Sequence, residues 1–250
     1  MNEVAKHIAN LCEKIRHHDR LYYSESQPEI SDLEYDRLIG ELQRLEADNP
    51  SLITPDSPTQ RVSGEAIGSL DSVQHHIPML SIDNTYSTQD LKAWGTRTKK
   101  HLQEAGNNEP IQWVLELKID GVAASLTYDS GLLVLGATRG NGIVGDDITH
   151  NVKTIKSIPL RLGLKNPPLQ IEARGEVFMT NSALVALNES QSTLGLSPFA
   201  NTRNVAAGSI RLLDSKECGD RPLRFFCHGV GNTESLNIDS QIEFYTWAKN

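Results

Sequence analysis

The stretch Ile111-Gln-Trp-Val-Leu-Glu116-Leu-Lys118-Ile-Asp120-Gly121-Val-Ala-Ala-Ser-Leu-Thr-Tyr128 lies near the middle of a 250-residue chain and sets the reading of the rest. Its first part, Ile111 to Leu117, is apolar, partly β-branched or aromatic, and follows a turn-rich segment, which predicts a strand. Side chains alternate across a strand, so Glu116, Lys118 and Asp120 would share one face and Leu115, Leu117 and Ile119 the other. The bland reading is an edge strand with a solvated charged face, common on antiparallel sheets. The alternative makes Lys118 a nucleophile. Partial burial would favour its neutral amine, while the flanking carboxylates would favour the charged form.

The surroundings predict a small meander. Val122 to Thr127 and Leu132 to Ala137 read as strands joined by the turn Asp129-Ser130-Gly131. Leu169 to Met179 reads as another, with Glu172, Arg174 and Glu176 alternating with Ile171, Ala173 and Val177. Leu223 to Val230 reads as a last strand, in which His228 is a packed or exposed sheet residue. Pro78 to Asn84 reads as a short strand ending in a turn. Residues 88 to 104 read as a helix with Leu91, Trp94 and Leu102 apolar. Arg139 precedes the tight turn Gly140-Asn141-Gly142, where a guanidinium could hold a phosphate or simply sit exposed. Asn201-Thr202 opens a helix through Leu212. Arg203 and Arg211, about two turns apart, would then face roughly one side as an anion site or a solvated flank.

The amino-terminal part has a different pattern. Val4, Ile8, Leu11, Ile15, His18 and Tyr22 recur at helical steps. Gln27-Pro28 breaks that helix, and Ser31 with Glu34 is a capping box for a second one, whose stripe is Tyr35, Leu38, Ile39, Leu42 and Leu45. Tyr22, Tyr23, Asp32, Tyr35 and Asp36 combine aromatic faces with carboxylates, a possible cage for a flat organic cation. The same residues also suit a half-buried core and acids at a helix start. Residues 49 to 70, rich in Pro, Ser, Thr and Gly, read as a linker without structure of its own, hence a domain boundary with a hinge near residue 68.

Bulk properties narrow the class. Residues 1–68 carry seven Lys/Arg against thirteen Asp/Glu, and the remainder seventeen against nineteen. Neither part is the basic footprint of a stand-alone duplex binder. Cys12, Cys218 and Cys227 form no Cys-x-x-Cys pair, and the eight histidines show no metal-ligand spacing. Reduced thiols, no zinc site, no membrane span and a cytoplasmic setting are therefore expected.

Several motifs occur in one order: Glu116-Leu-Lys118-x-Asp120-Gly121, Ala137-Thr-Arg139-Gly140-Asn-Gly142, Gly145-Asp-Asp147-Ile-Thr-x-Asn151-Val, Arg174-Gly-Glu176-Val-Phe, and Phe199-Ala-Asn-x-Arg203-Asn-x-Ala-Ala-Gly208-Ser-x-Arg211. Together they resemble the adenylation domain of the bacterial NAD-dependent DNA ligases. Tyr22-Tyr23 through Pro28-x-Ile30-x-Asp32-x-x-Tyr35-Asp36 is similar to the segment with which that family binds the nicotinamide mononucleotide half of NAD.

The resemblance implies an α+β chain: a small helical domain over 1–68, then a nucleotidyltransferase (ATP-grasp-like ligase) domain over 69–250, built of antiparallel sheets flanked by helices. It implies that Lys118 attacks the adenylyl phosphorus of NAD, with Asp120 and Glu116 positioning or deprotonating it, or with Glu116 recognising adenine. Ser81 and Ile82 would line the adenine side, Glu176 would bind ribose hydroxyls, and Arg139, Arg203 and Arg211 would stabilise phosphate. Mg²⁺ is expected as the phosphate-neutralising ion, and nicked DNA as a partner of the full-length ligase. Two further motifs of the family's domain, an apolar-Asp-Gly strand and a lysine beyond it, do not follow Val230, so the domain is expected to be incomplete at its carboxyl end. A binding fragment without chemistry and an ATP- or GTP-using relative are the rival readings.

Overall fold

The computed structural model describes residues 3–24, 27–62, 67–231, 236 and 238–248, and the side chains of Tyr23, Ser24 and Asp32 lie outside that description. Helix α1 (Glu3–Asp19) runs into a π-helical turn over Arg20–Ser24, and helix α2 (Asp32–Asp48) returns beside it. The capping box starts α2 as read: the Glu34 amide donates to Ser31 Oγ at 3.3 Å, and the Ser31 amide donates to Glu34 Oε2 at 2.9 Å. The Ser31 amide and the Ser31 hydroxyl, which donates to the same Oε2 at 2.8 Å, hold the Glu34 carboxyl below its ordinary value. Ile8, Leu11, Cys12, Ile15 and Leu42 form the buried seam between the helices, with Tyr35, Leu38 and Leu45 at its edge. Each fully buried aliphatic side chain contributes about 1.5–3 kcal/mol.

The linker is not the structureless hinge expected over residues 49 to 70. Pro50–Leu52 and Pro58–Arg61 are 3-10 turns, and Asp56, Ser57 and Arg61 are buried. Asp56 Oδ2 accepts from Arg16 Nη2 of α1 at 2.7 Å and from Arg161 Nε at 2.6 Å, joining the two units through one carboxylate. Burial pushes the Asp56 carboxyl up, but the Arg161 hydrogen bond, the Thr54 hydroxyl and both arginine charges outweigh it and hold the group low. Arg61 pairs with Asp19 Oδ2 at 3.5 Å and donates through Nη1 to the carbonyls of Lys153, Ile155 and Ile158 at 3.0–3.3 Å.

The second unit centres on a four-stranded antiparallel sheet, order β3-β2-β5-β6, where β2 is Val122–Asp129 and β3 is Leu132–Thr138. Its other strands are β5 (Gln170–Phe178) and β6 (Arg224–Val230). The β2–β3 turn is tight because Ser130 and Gly131 both adopt positive φ, 49° and 82°, as a two-residue hairpin requires. A second, two-stranded sheet pairs β1 (Ser72–Gln74) with β4 (Val144–Asp146). Helices α3 (Thr88–Glu104), α4 (Thr149–Val152), α5 (Asn181–Thr193), α6 (Thr202–Ser209), α7 (Ser215–Gly219) and α8 (Gln241–Ala248) complete the unit. Leu126, Tyr128, Ile148, Val152, Ile158, Ile171, Val177, Val205 and Ile210 belong to one core beneath the sheet.

Two expected strands are absent. Residues 107 to 120 and 77 to 86 carry no strand assignment. Leu115 is 99% and Leu117 84% exposed, and Leu80 and Ile82 are similarly open. Their apolar composition suits a strand, but no neighbouring strand takes up their backbone hydrogen bonds. Trp113 rests on Trp94 of α3, ring centroids 5.0 Å apart. The helix predicted through Leu212 ends at Ser209, so Arg211 lies in the turn beyond it.

Candidate active site

Where the exposed segment enters β2, Gly121 passes so close to β5 that a Cβ there would lie 2.1 Å from the Val177 carbonyl oxygen. Only glycine permits this approach, and it brings the end of the Lys118-x-Asp120-Gly121 run against Glu176. The Gly121 N–H donates to the Glu176 carboxylate. Burial pushes the Glu176 carboxyl above its ordinary value, against the charges of Lys118, His228 and Arg203, which favour the ionised form. Gly175 makes a similar approach on the other side of β5, where a Cβ would lie 2.3 Å from the Phe226 oxygen.

Lys118 itself is exposed, which corrects the expectation of a partly desolvated lysine on a strand face. Asp120 Oδ1 accepts from Arg203 Nη1 at 2.8 Å, with both side chains more than half exposed. Lys118, Asp120, Glu176 and Arg203 thus form one charged group, contributed by the entry to β2, by β5 and by the first turn of α6. Arg203 sits there because Asn201 caps α6, accepting the Asn204 amide at 2.8 Å.

Ser81 and Ile82 approach by a separate route. Arg174 Nε donates to Glu172 Oε1 at 2.9 Å and Nη1 donates to the Pro78 oxygen at 3.0 Å, and Nη2 reaches the Ile77 oxygen. The Met79 amide donates to the Gly142 oxygen at 2.9 Å. That seats the segment beside the Arg139 turn, and Arg139 Nη1 donates to Ser81 Oγ at 3.4 Å. Arg211, beyond the end of α6, is engaged elsewhere: its Nη2 pairs with Asp146 Oδ2 on β4 at 3.1 Å, away from the Arg203–Asp120 pair.

One residue of this neighbourhood was read from the sequence only as a sheet residue, and another went unread. His228 acts on Glu176, and strand alternation hints at it, since Phe226, two residues earlier, is the register partner of Glu176. Tyr245 of α8 lies beside Glu116; burial, then that carboxylate, pushes its phenol up. Helix α8 is fixed by buried Phe244 and by Gln241 Nε2, which donates to the His228 oxygen at 2.7 Å.

The helical unit holds a cavity of about 260 Å³ lined by His18, Tyr22, Pro28, Glu29, Ile30, Tyr35 and Asp36. Three of the five expected cage residues therefore converge, and the side chains of Tyr23 and Asp32 lie outside the described residues. Tyr35 is oriented from behind, its hydroxyl donating to the buried Asp19 Oδ1 at 2.6 Å. The lining combines two tyrosines with two carboxylates, which suits a flat cation. No described residue of the second unit lines this cavity. Around Lys118 no three His, Cys, Asp or Glu donors converge among the described residues.

Two family models divide the chain between them. The NAD-dependent DNA ligase adenylation domain matches residues 67–250, and the DNA ligase-like, N-terminal NAD+-binding domain matches residues 1–63. A curated DNA ligase of Rhodopirellula baltica is 47% identical over 253 residues, covering 97% of this chain and 35% of that protein. The chain spans about a third of that relative's length. No described helix is long and apolar enough to cross a membrane.

Proposed function

Since the chain belongs to the NAD-dependent DNA ligase adenylation domain family, we propose that it carries out the first step of ligation, transfer of AMP from NAD to Lys118. The Lys118 amine attacks the adenylyl phosphorus, a P–N bond forms, the bond to the bridging pyrophosphate oxygen breaks, and nicotinamide mononucleotide leaves. Attack needs the neutral amine. Glu176, which feels the Lys118 charge, or Asp120 would take its proton, which then passes to solvent. Arg203, and Arg139 beside Ser81, stabilise phosphate charge as the phosphorus becomes five-coordinate. Glu116 and Ser81–Ile82 hold the adenosine side. Arg211, already paired with Asp146, would have to leave that pair to assist.

The observation that carries this reading is the convergence of Lys118, Asp120, Glu176 and Arg203 at the Gly121–Val177 approach. The helical unit, taken as 1–68, would hold the nicotinamide half through Tyr22, Tyr35 and Asp36, with Tyr23 and Asp32 beside them, and 69–250 would hold the adenylyl half. The carboxylates near Lys118 are hard oxygen donors of the kind Mg²⁺ accepts, and that ion commonly binds through substrate phosphates and only one or two carboxylates. Glu116, Asp120 or Glu176 would serve as its protein ligand. When bound it would neutralise phosphate charge. Within a longer ligase, the AMP would pass to a DNA 5′-phosphate and the nick would close, in the cytoplasmic setting of replication and repair.

A nucleotide-holding unit without chemistry is the second reading, favoured by the exposure of Lys118. Intact mass after incubation with NAD and Mg²⁺, beside an ATP control, separates the two. Gain of one AMP from NAD alone is the expected result. Gain from ATP, or NAD binding without any gain, would overturn it.

A further inference from the structure

The sequence shows no metal-ligand spacing among its histidines, yet the fold creates a ligand set that spacing does not reveal. Among the described residues, one group of three His, Cys, Asp or Glu side chains brings its donor atoms within 4.8 Å of one another: His17, His18 and Glu29. The last turn of α1 presents the two histidines. Their rings meet edge-on, centroids 5.2 Å apart and planes at 62°. The π-helical turn over Arg20–Ser24 then redirects the chain, and Glu29 arrives against His17 with Nε2 and Oε2 3.2 Å apart. A second observation points to a ligand. His18 Nδ1 is buried and has no hydrogen-bond partner among the described residues, although an imidazole nitrogen shut away from water normally has one.

We propose that His17, His18 and Glu29 form a binding site for a borderline divalent transition metal, with zinc as the reference case. Two imidazoles and one carboxylate suit zinc, cobalt or nickel and not magnesium or calcium, which take oxygen donors. The set has the composition of open zinc sites, which hold three protein ligands and leave a fourth position for water or a ligand. With metal–donor bonds of about 2.0–2.2 Å, the donors must draw together by roughly an ångström. The exposed His17 and Glu29 side chains, 44% and 60% accessible, can do this by changing rotamer.

One neighbour opposes the metal. Arg20 Nη2 lies 3.4 Å from His17 Nδ1, and a guanidinium only donates, so Nδ1 accepts there and Nε2 carries the ring proton toward Glu29. To bind metal through Nε2, His17 must move that proton to Nδ1, and Arg20 must turn aside. Arg20 is therefore an antagonist of the site, by charge and by tautomer.

His18 and Glu29 also line the cavity beside Tyr22 and Tyr35, so a dication here and a pyridinium in the cavity would repel each other. The metal site stands independently of the proposed function, and only this competition rests on the cavity's holding that ring.

The test is titration of the whole 250-residue chain with Zn²⁺ by calorimetry, and with Co²⁺ by its visible absorption, without nucleotide. One equivalent is expected, with cobalt bands of tetrahedral or five-coordinate nitrogen–oxygen ligation. His17→Ala and Glu29→Gln should each weaken it by at least about tenfold, and Arg20→Ala should tighten it. His7→Ala is the control, because the His7–Glu41 pair at 2.8 Å offers only two donors and should not matter. Equal affinity in wild type, His17→Ala and Glu29→Gln at unchanged helical content would overturn the site, as would equal losses in His7→Ala. N-Methylnicotinamide, the same pyridinium without a phosphate, once shown to bind, should lower the metal affinity at least about threefold through like-charge repulsion. Unchanged metal affinity in its presence would overturn the shared wall.

Discussion

Residues 50–62 and residues 107–121 are both short of regular structure, and their physical states are opposite. The first stretch is anchored: Asp56, Ser57 and Arg61 are buried, and its charges reach α1 on one side and residues 153–161 on the other. The second stretch is open, with Leu115 and Leu117 almost bare and Lys118 in solvent. Irregular backbone becomes a rigid joint when buried ions and carbonyls take up its polar groups. It stays an accessible arm when it is held at a few points, here by Gly121 against Val177 and by Trp113 on Trp94. On the proposed function the joint would serve stability and the arm chemistry, so substitutions in the two should separate those readouts.

The largest separation is expected at Lys118. Lys118→Ala should reduce lysyl-AMP formation by roughly 10³-fold or more, as loss of a nucleophile does, with the melting temperature unchanged, because exposed substitutions stay within about 0.5 kcal/mol. Arg61→Ala is the converse. It strands Asp19 Oδ2 and the carbonyls of Lys153, Ile155 and Ile158, and should cost about 3–5 kcal/mol in urea unfolding. A loss below 1 kcal/mol would show the joint to be solvated.

Gly121→Ala should touch both properties. The added methyl meets the Val177 oxygen, costing about 1–3 kcal/mol and displacing Lys118, so that adenylation falls as well. A smaller effect belongs to pH. Asp56 sits below its ordinary value of 3.8 in the folded state. The unfolded chain therefore binds its proton first, and this stabilisation is complete above pH 3.8 and lost as pH falls through the lower folded value. Acid unfolding followed by tryptophan fluorescence should be flatter in Asp56→Asn over that window. Leu115→Ser, in the open arm, should leave stability unmoved.

Much of this was legible in the sequence where the cause is local. The capping box of α2, the Ser130-Gly131 hairpin turn and the stripe of α1 are each decided within a few residues. The linker was misread because its anchors lie far away in sequence, Arg61 reaching Lys153 and Ile158 across the domain. The strand at Ile111 to Leu117 was misread for the reverse reason: strand composition is local, but a strand exists only where a partner takes its hydrogen bonds. Of the residues expected to form a site, Lys118, Asp120, Glu176 and Arg203 converge. Arg211 was assigned by helical periodicity across residues the helix does not reach. His228 was set aside because one histidine in a strand signals nothing until the fold brings its charge to Glu176.

The most direct measurement is peptide mapping of the protein after reaction with NAD and Mg²⁺, to locate the adenylyl group. AMP on the peptide bearing Lys118, and on no other lysine, is the predicted result. AMP on Lys156 or Lys153 near the joint, or an unmodified chain with NAD bound, would contradict the assignment of the open arm to the chemistry.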